Sequence, residues 1–128
     1  MNWKEIEKEY PKAFRKLKDF LDDRVETDRI GIQLAQNPEE YLGYLYDFFD
    51  RNYIYVSPRV TLKIIDSINQ FECDVYCTKY SYAARCIWHK NRYESEIEGF
   101  TKAFMIMENQ LIMENQLNDM IDNLKGSE

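Results

Sequence analysis

Apolar residues recur at helical spacing between Asn91 and Lys125, the longest segment without proline or a turn cluster. They follow one another at steps of three or four residues, which places them on one face of a helix: Ile97, Phe100, Phe104, Met107 and Leu111. Asn91 followed by Glu94 is a pattern that satisfies the unpaired N–H groups at a helix start. The spacing therefore predicts one long helix over residues 91–125.

The same segment contains a tandem repeat, because residues 106–111 and residues 112–117 both read IMENQL. Six extra residues rotate everything that follows them by about 240° on a helix. The next apolar residues are therefore expected about 120° away from the row that ends at Leu111: Leu117, Met120, Ile121 and Leu124. This off-register end either needs a second apolar partner, such as another chain, or frays in solvent.

Shorter helical patterns occupy residues 1–50. Proline clashes inside an established helix, so the N-terminus predicts two helical segments, one over residues 2–10 and a second that begins with Pro11. Residues 24–36 have the weakest pattern and predict a linker. Asn37-Pro38 is a start signal for a further helix that continues to Asn52.

Residues 53–88 favour strands. Tyr53–Val56 is aromatic and β-branched, residues 71–77 alternate between apolar and polar positions, and residues 81–88 predict the last strand. Residues 59–67 alternate as well, but they follow a helix-start signal and are compatible with either strand or helix. The chain is therefore expected to be α+β, with a small antiparallel sheet of three to four strands packed against the long C-terminal helix and two N-terminal helical segments.

Composition places the chain among single-domain proteins, with residues 1–128 forming one core. Its content is 45% hydrophobic and 15% aromatic, which is too rich for a disordered chain. A net charge of −6 argues against general binding to nucleic-acid phosphates. No apolar run is long enough to span a bilayer and the N-terminus does not resemble a signal peptide, so a cytoplasmic protein with reduced thiols is expected.

The residue types of a zinc site occur once, as Cys73, Cys77, Cys86 and His89. The spacing opposes such a site, because two sulfurs four residues apart on a strand are separated by roughly 13 Å. Cys86 and His89 could also form a nucleophile–base pair, but no oxyanion-hole motif flanks them. The sequence therefore predicts no catalytic residues, no metal and no cofactor, and the chain is not expected to be an enzyme.

Residues 79–93 interleave cations with aromatic side chains, a combination that suits protein docking, single-stranded nucleic acid or ordinary surface. As a protein-binding surface, together with the off-register end, the candidate residues are Tyr82, Arg85, Trp88, Lys90, Leu117, Met120 and Leu124. As a nucleic-acid surface they are Lys79, Tyr80, Arg85, Trp88 and Arg92.

Residues 91–111 resemble a C-terminal signature of small proteins from phages and prophages, mainly of Bacteroidetes hosts. That signature has a Thr/Ser-Arg-x-Glu-Ala-Glu run followed by Ala-Phe-x-Lys-Ala-Phe and Ile-Leu-Glu. The matching positions are Arg92, Glu94, Glu96, Phe100, Lys102, Ala103, Phe104 and Glu108. The positions that depart from it are Asn91, Ser95, Gly99 and Met107. Residues 41–57 are similar to the same proteins.

The resemblance implies an accessory phage protein and supplies no catalytic residues. The leading hypothesis is a non-enzymatic, phage-derived protein-binding module in the host cytoplasm, of the anti-CRISPR type that inhibits an RNA-guided nuclease. The off-register end of the helix is expected to form a homodimer. The alternative hypothesis is an accessory protein that binds single-stranded nucleic acid through residues 79–93.

Overall fold

The C-terminal helix is the longest element of the fold, which is known from a computed structural model. The structure describes residues 3–22, 42–63, 68–77, 82–85 and 92–126. In chain order the described elements are α1 (Trp3–Glu9), α2 (Pro11–Asp22), α3 (Leu42–Arg51), β1 (Ile54–Lys63), β2 (Ile68–Cys77), β3 (Tyr82–Arg85) and α4 (Arg92–Gly126).

The helix break predicted at Pro11 is present. Tyr10 separates α1 from α2, yet its amide donates to the Ile6 carbonyl at 2.8 Å and its own carbonyl accepts from Phe14 at 2.9 Å. Hydrogen bonds four residues apart therefore continue across Tyr10, and Pro11 stands in the first turn of α2, where its missing N–H costs little. The buried side of this helix consists of Ala13, Phe14, Leu17 and Leu21.

Helix α3 ends in a left-handed residue. Tyr53 has φ 63°, and the Asn52 and Tyr53 amides donate to the Phe49 and Asp50 carbonyls at 2.9 and 3.1 Å. A left-handed residue after a helix allows the last carbonyls of that helix to accept hydrogen bonds, and glycine is the usual residue at this position. The turn directs the chain from α3 into β1, while Phe48 and Phe49 stay in the core.

The described strands form one antiparallel sheet in the order β1-β2-β3. Most of it is the long pair β1 and β2, ten residues each, in which Val56 faces Val75 and Pro58 faces Cys73. Residues 59–63, which the pattern left between helix and strand, belong to β1. Proline is compatible with this strand because β1 lies at the edge among the described strands, and an edge strand leaves one side without ladder hydrogen bonds.

Helix α4 packs between the sheet and the other helices. Phe104 and Phe100 meet Phe49 of α3 with ring centroids 5.0 and 5.9 Å apart. On another face of α4, Gly99 lies against Val56 of β1 and Cys73 of β2. The predicted α+β class, the antiparallel sheet and the long C-terminal helix are thus confirmed.

Several sequence predictions fall outside the described residues. These are the linker at residues 24–36, the helix starts at Asn37-Pro38 and Asn91, residues 64–67 of the segment left between strand and helix, and residues 81 and 86–88 of the last predicted strand. Within the described part of the chain, none of the helices is both long and apolar enough to cross a membrane.

Candidate protein-binding site

The two copies of the repeated hexapeptide occupy different environments. In the first copy Ile106, Met107 and Glu108 are buried, whereas Ile112 and Met113 at the matching positions of the second copy are exposed. The sequences are identical, so the difference comes entirely from where each copy lies along α4. The first copy belongs to the core, and the second begins an exposed tail, residues 112–126.

Glu108 holds α4 against the start of α2. Its carboxylate accepts the amide of Ala13 at 2.8 Å and that of Lys12 at 3.3 Å. The first turn of α2 has no acidic residue of its own, so Glu108 supplies the negative charge that a helix N-terminus favours. The helix is therefore fixed in place one turn before the tail begins.

A second row of α4 residues faces the sheet. A Cβ atom on Gly99 would lie 2.8 Å from the Cys73 Sγ, and the Gln110 Nε2 donates to the Cys77 Sγ at 3.0 Å. Ala103 and Ile106 lie between these two contacts on the same face, at steps of four and three residues, and both are buried. The row continues at the same spacing into the tail, beyond Cys77, where β2 ends.

That continuation, the tail row, consists of Met113, Leu117, Met120 and Leu124. Their exposed fractions are 60%, 56%, 62% and 68%, respectively. Every residue from Asn115 to Gly126 is exposed, so the tail leaves the core on all sides. Because α4 is continuous through both copies, the repeat does rotate these residues, but the tail row is exposed because the helix continues past the end of the sheet.

Charge is arranged unevenly around the tail. Asp119, Asp122 and Lys125 lie away from the tail row. One flank of the row carries only neutral amides, at Asn109, Gln116 and Asn123, and the other carries Glu114 and Ile121. An apolar row with almost uncharged flanks is suited to burial against another helix.

The predicted residues of the segment 79–93 are only partly described. Tyr82 and Arg85 belong to β3, paired with Cys77 and Asp74 of β2, and Lys79, Tyr80, Trp88 and Lys90 lie outside the described residues. Arg92 begins α4, and its Nε donates to the Glu96 carboxylate at 2.9 Å. Because the described residues do not join this segment to the tail, the use of residues 79–93 in binding stays a prediction.

The outer face of the sheet carries an aromatic pair that the sequence pattern alone does not identify. Tyr55 and Tyr76 face each other across β1 and β2 and stack with centroids 5.4 Å apart. Tyr76 is 41% exposed. Further along the same face, beyond the Ser57–Asp74 pair, the Arg59 guanidinium donates to the buried Glu72 carboxylate at 2.8 Å. The alternation within each strand was visible in the sequence, but the pairing requires the register between strands.

A polar cluster around the buried Glu96 joins α3 to α4. The Tyr46 hydroxyl donates to Glu96, the same carboxylate that accepts from Arg92, and its ring packs edge-on against Phe100 at 4.8 Å. Burial, followed by the negative charge of Glu96, raises the pKa of Tyr46 far above its ordinary value. Glu96 thus interacts both with Tyr46 of α3 and with Arg92 of its own helix.

Cys73 and Cys77 are both buried on the side of β2 that faces α4, and neither forms a disulfide. In the described part of the chain no three His, Cys, Asp or Glu side chains converge as a metal site would require. Cys86 and His89 lie outside it, so the structure bears on the zinc hypothesis only through the two strand cysteines and does not test the Cys86–His89 pair.

Comparison with known proteins gives no relative on which to base a function. No protein-family model, curated protein or solved structure matches this chain.

Proposed function

We propose that this chain is a protein-binding module and that its binding element is the tail, residues 112–126. The proposal depends on one observation: the tail row is an ordered line of large apolar side chains, each more than half exposed, that projects from an otherwise packed domain. Contiguous exposed apolar surface of this kind is characteristic of interaction sites in proteins.

The tail is already ordered for binding. A free helix of about 15 residues is marginal in water, because its first turn must form before any further hydrogen bond can add to it. Here residues 92–111 form those turns inside the core, and Glu108 fixes them to α2. The partner therefore meets a preformed helix, and association does not carry the entropy cost of folding one.

Recognition then follows the helix-in-groove mode, in which residues at steps of three and four fill an apolar surface of the partner. A narrower hypothesis is that the partner is a host immunity nuclease. Its support is the resemblance of residues 91–111 to phage proteins, and the tail itself lies outside that resemblance.

A matched pair of baits tests the proposal. Purified chain is immobilised beside Leu117→Lys and Asn118→Lys variants, which add the same charge one residue apart, on the tail row and off it. Host lysate to which a labelled copy of this chain has been added is passed over each bait, and we expect a protein, either from the host or the labelled copy, that is retained by the unmodified and Asn118→Lys chains and lost with Leu117→Lys. Retention of the same proteins by all three baits, or of none, would contradict the proposal.

A further inference from the structure

We infer that the tail row binds the tail row of a second copy of this chain, in an antiparallel pair. The inference rests on the proposed function and names the occupant of the same surface. Three observations support it: the spacing of the tail row, the neutral amides beside that row, and the position of the sheet on α4.

The spacing is that of a coiled-coil seam. Met113, Leu117, Met120 and Leu124 follow at steps of four, three and four residues, which are the d and a positions of two heptads. An antiparallel pair then sets Met113 opposite the partner's Leu124 and Leu117 opposite the partner's Met120. Each layer combines one leucine with one methionine, so the row is complementary to itself.

Charge does not oppose self-association at this surface, although the chain carries a net charge of −6. Positions beside the seam decide which helices pair, since like charges there repel. Gln116, Ile121 and Asn123 are neutral, and Glu114, the one charged flanking residue, would lie near the partner's Ile121 in an antiparallel pair. Asp119 and Asp122 lie on the far side of the helix. A second copy therefore brings no concentration of like charge to the seam, and a basic partner would gain little there.

The position of the sheet on α4 favours an antiparallel over a parallel pair of tail helices. The sheet covers the same face of α4 from Gly99 to Gln110, immediately before the seam. In a parallel pair the two sheets would both lie between the helices and occupy the same space. In an antiparallel pair the two bodies lie at opposite ends, and the overlap over residues 113–124 is about 18 Å long.

Sedimentation velocity of the purified chain, from about 1 µM to 1 mM, measures the association. We expect a concentration-dependent rise from the chain mass of 15.5 kDa toward twice that value. Leu117→Lys should raise the dissociation constant at least about tenfold, since it places a charge in a central layer, and Asn118→Lys should leave it within about threefold. Monomer at every concentration, or equal dimerisation of all three chains, would overturn the inference.

Disulfide cross-linking between two different cysteine variants tests whether the two tail helices pair antiparallel. In a Cys86→Ser background, a Met113→Cys chain mixed with a Leu124→Cys chain should give the cross-linked heterodimer, and each variant alone should not. Cross-linking of Met113→Cys with itself would overturn the antiparallel arrangement. A monomeric purified chain whose bait still captures a host protein through Leu117 would overturn this inference alone. A monomeric chain without such capture would overturn the proposed function as well.

Discussion

Replacement of Glu108 by alanine should destabilise the fold more than the same replacement six residues later. The structure gives two reasons. The mutation removes a charged acceptor from the Ala13 amide at 2.8 Å and a weaker one from Lys12 at 3.3 Å. It also removes a carboxylate from the first turn of α2, which contains no acidic residue of its own.

The magnitude follows from these contacts. A hydrogen bond to a charged group contributes about 1.5–3 kcal/mol, and the charge at a helix N-terminus adds about 0.3–1 kcal/mol. Ala13 is fully buried, so water cannot replace the acceptor there, whereas Lys12 is exposed and water can. We therefore expect Glu108→Ala to lower the free energy of unfolding by about 2–4 kcal/mol, and Glu108→Gln, which keeps a neutral acceptor, by about half of that.

Glu114→Ala is the matched control, because Glu114 holds the same place in the second copy of IMENQL, with the same neighbours in sequence. It lies one hexapeptide later on α4, away from the first turn of α2, and we expect a change in the free energy of unfolding below about 1 kcal/mol. Urea unfolding followed by circular dichroism at low protein concentration measures all three variants. If Glu108→Ala and Glu114→Ala have equal effects, the carboxylate does not hold α2 as described.

Three further predictions concern the core. Gly99→Ala should lower the free energy of unfolding by about 1–3 kcal/mol, because its Cβ would lie 2.8 Å from the Cys73 Sγ. Gly43→Ala, on open helix surface, should raise it by about 0.5–1 kcal/mol. Urea unfolding that shifts the stability of both variants in the same direction would contradict these predictions. Because the pKa of Tyr46 is raised in the folded state, the unfolded chain releases its tyrosine proton first, near pH 10, and stability should fall as pH rises above that value. Between pH 8 and pH 11 the free energy of unfolding should fall less for Tyr46→Phe than for the unmodified chain. An equal fall in both chains would show that Tyr46 is not the residue responsible. Arg59→Ala should lower the free energy of unfolding by about 1–3 kcal/mol, because it removes the guanidinium from the buried Glu72 carboxylate. Adding Glu72→Gln to that variant should restore part of the lost stability, which a double-mutant cycle measures.

The extent of α4 could be predicted from sequence because an uninterrupted period of three and four residues is a local property. Its sheet-facing row could not, since that row begins with Gly99 and Ala103 and includes Gln110, none of which is strongly apolar. The stronger row, which ends at Leu111 and faces the helices, dominates the pattern. Only the packed structure shows that the tail row continues the weaker one.

The cap on α2 shows the same limit. A first turn with Pro11 and Lys12 and without an acid lacks the charge that a helix start favours, and this deficit was visible in the sequence. The residue that compensates for it, Glu108, is separated by 95 residues from the amide it accepts most closely. Similarly, β1 runs through Pro58 because it is an edge strand, and edge position depends on the whole sheet.

The second copy of the repeat can be removed without a change in the sequence of the core-facing part of α4. Removal of residues 112–117 leaves the sequence through Leu111 unchanged, so every buried contact of the first copy should persist. In the shortened chain Asp119 and Asn123 take the places of Met113 and Leu117, and the seam becomes polar.

In the shortened chain Met120 and Ile121 would move to the places of Glu114 and Asn115. Asn115 and Leu111 both border a gap of about 240 Å³ between α2 and α4. Apolar side chains beside Leu111 can bury surface there, so the shortened chain should remain as stable as the full chain or become more stable, by up to about 1 kcal/mol. It should also sediment as a monomer at all concentrations. A shortened chain that unfolds more readily would mean that the second copy supports the core, and that the tail is not the independent surface that the exposed side chains indicate.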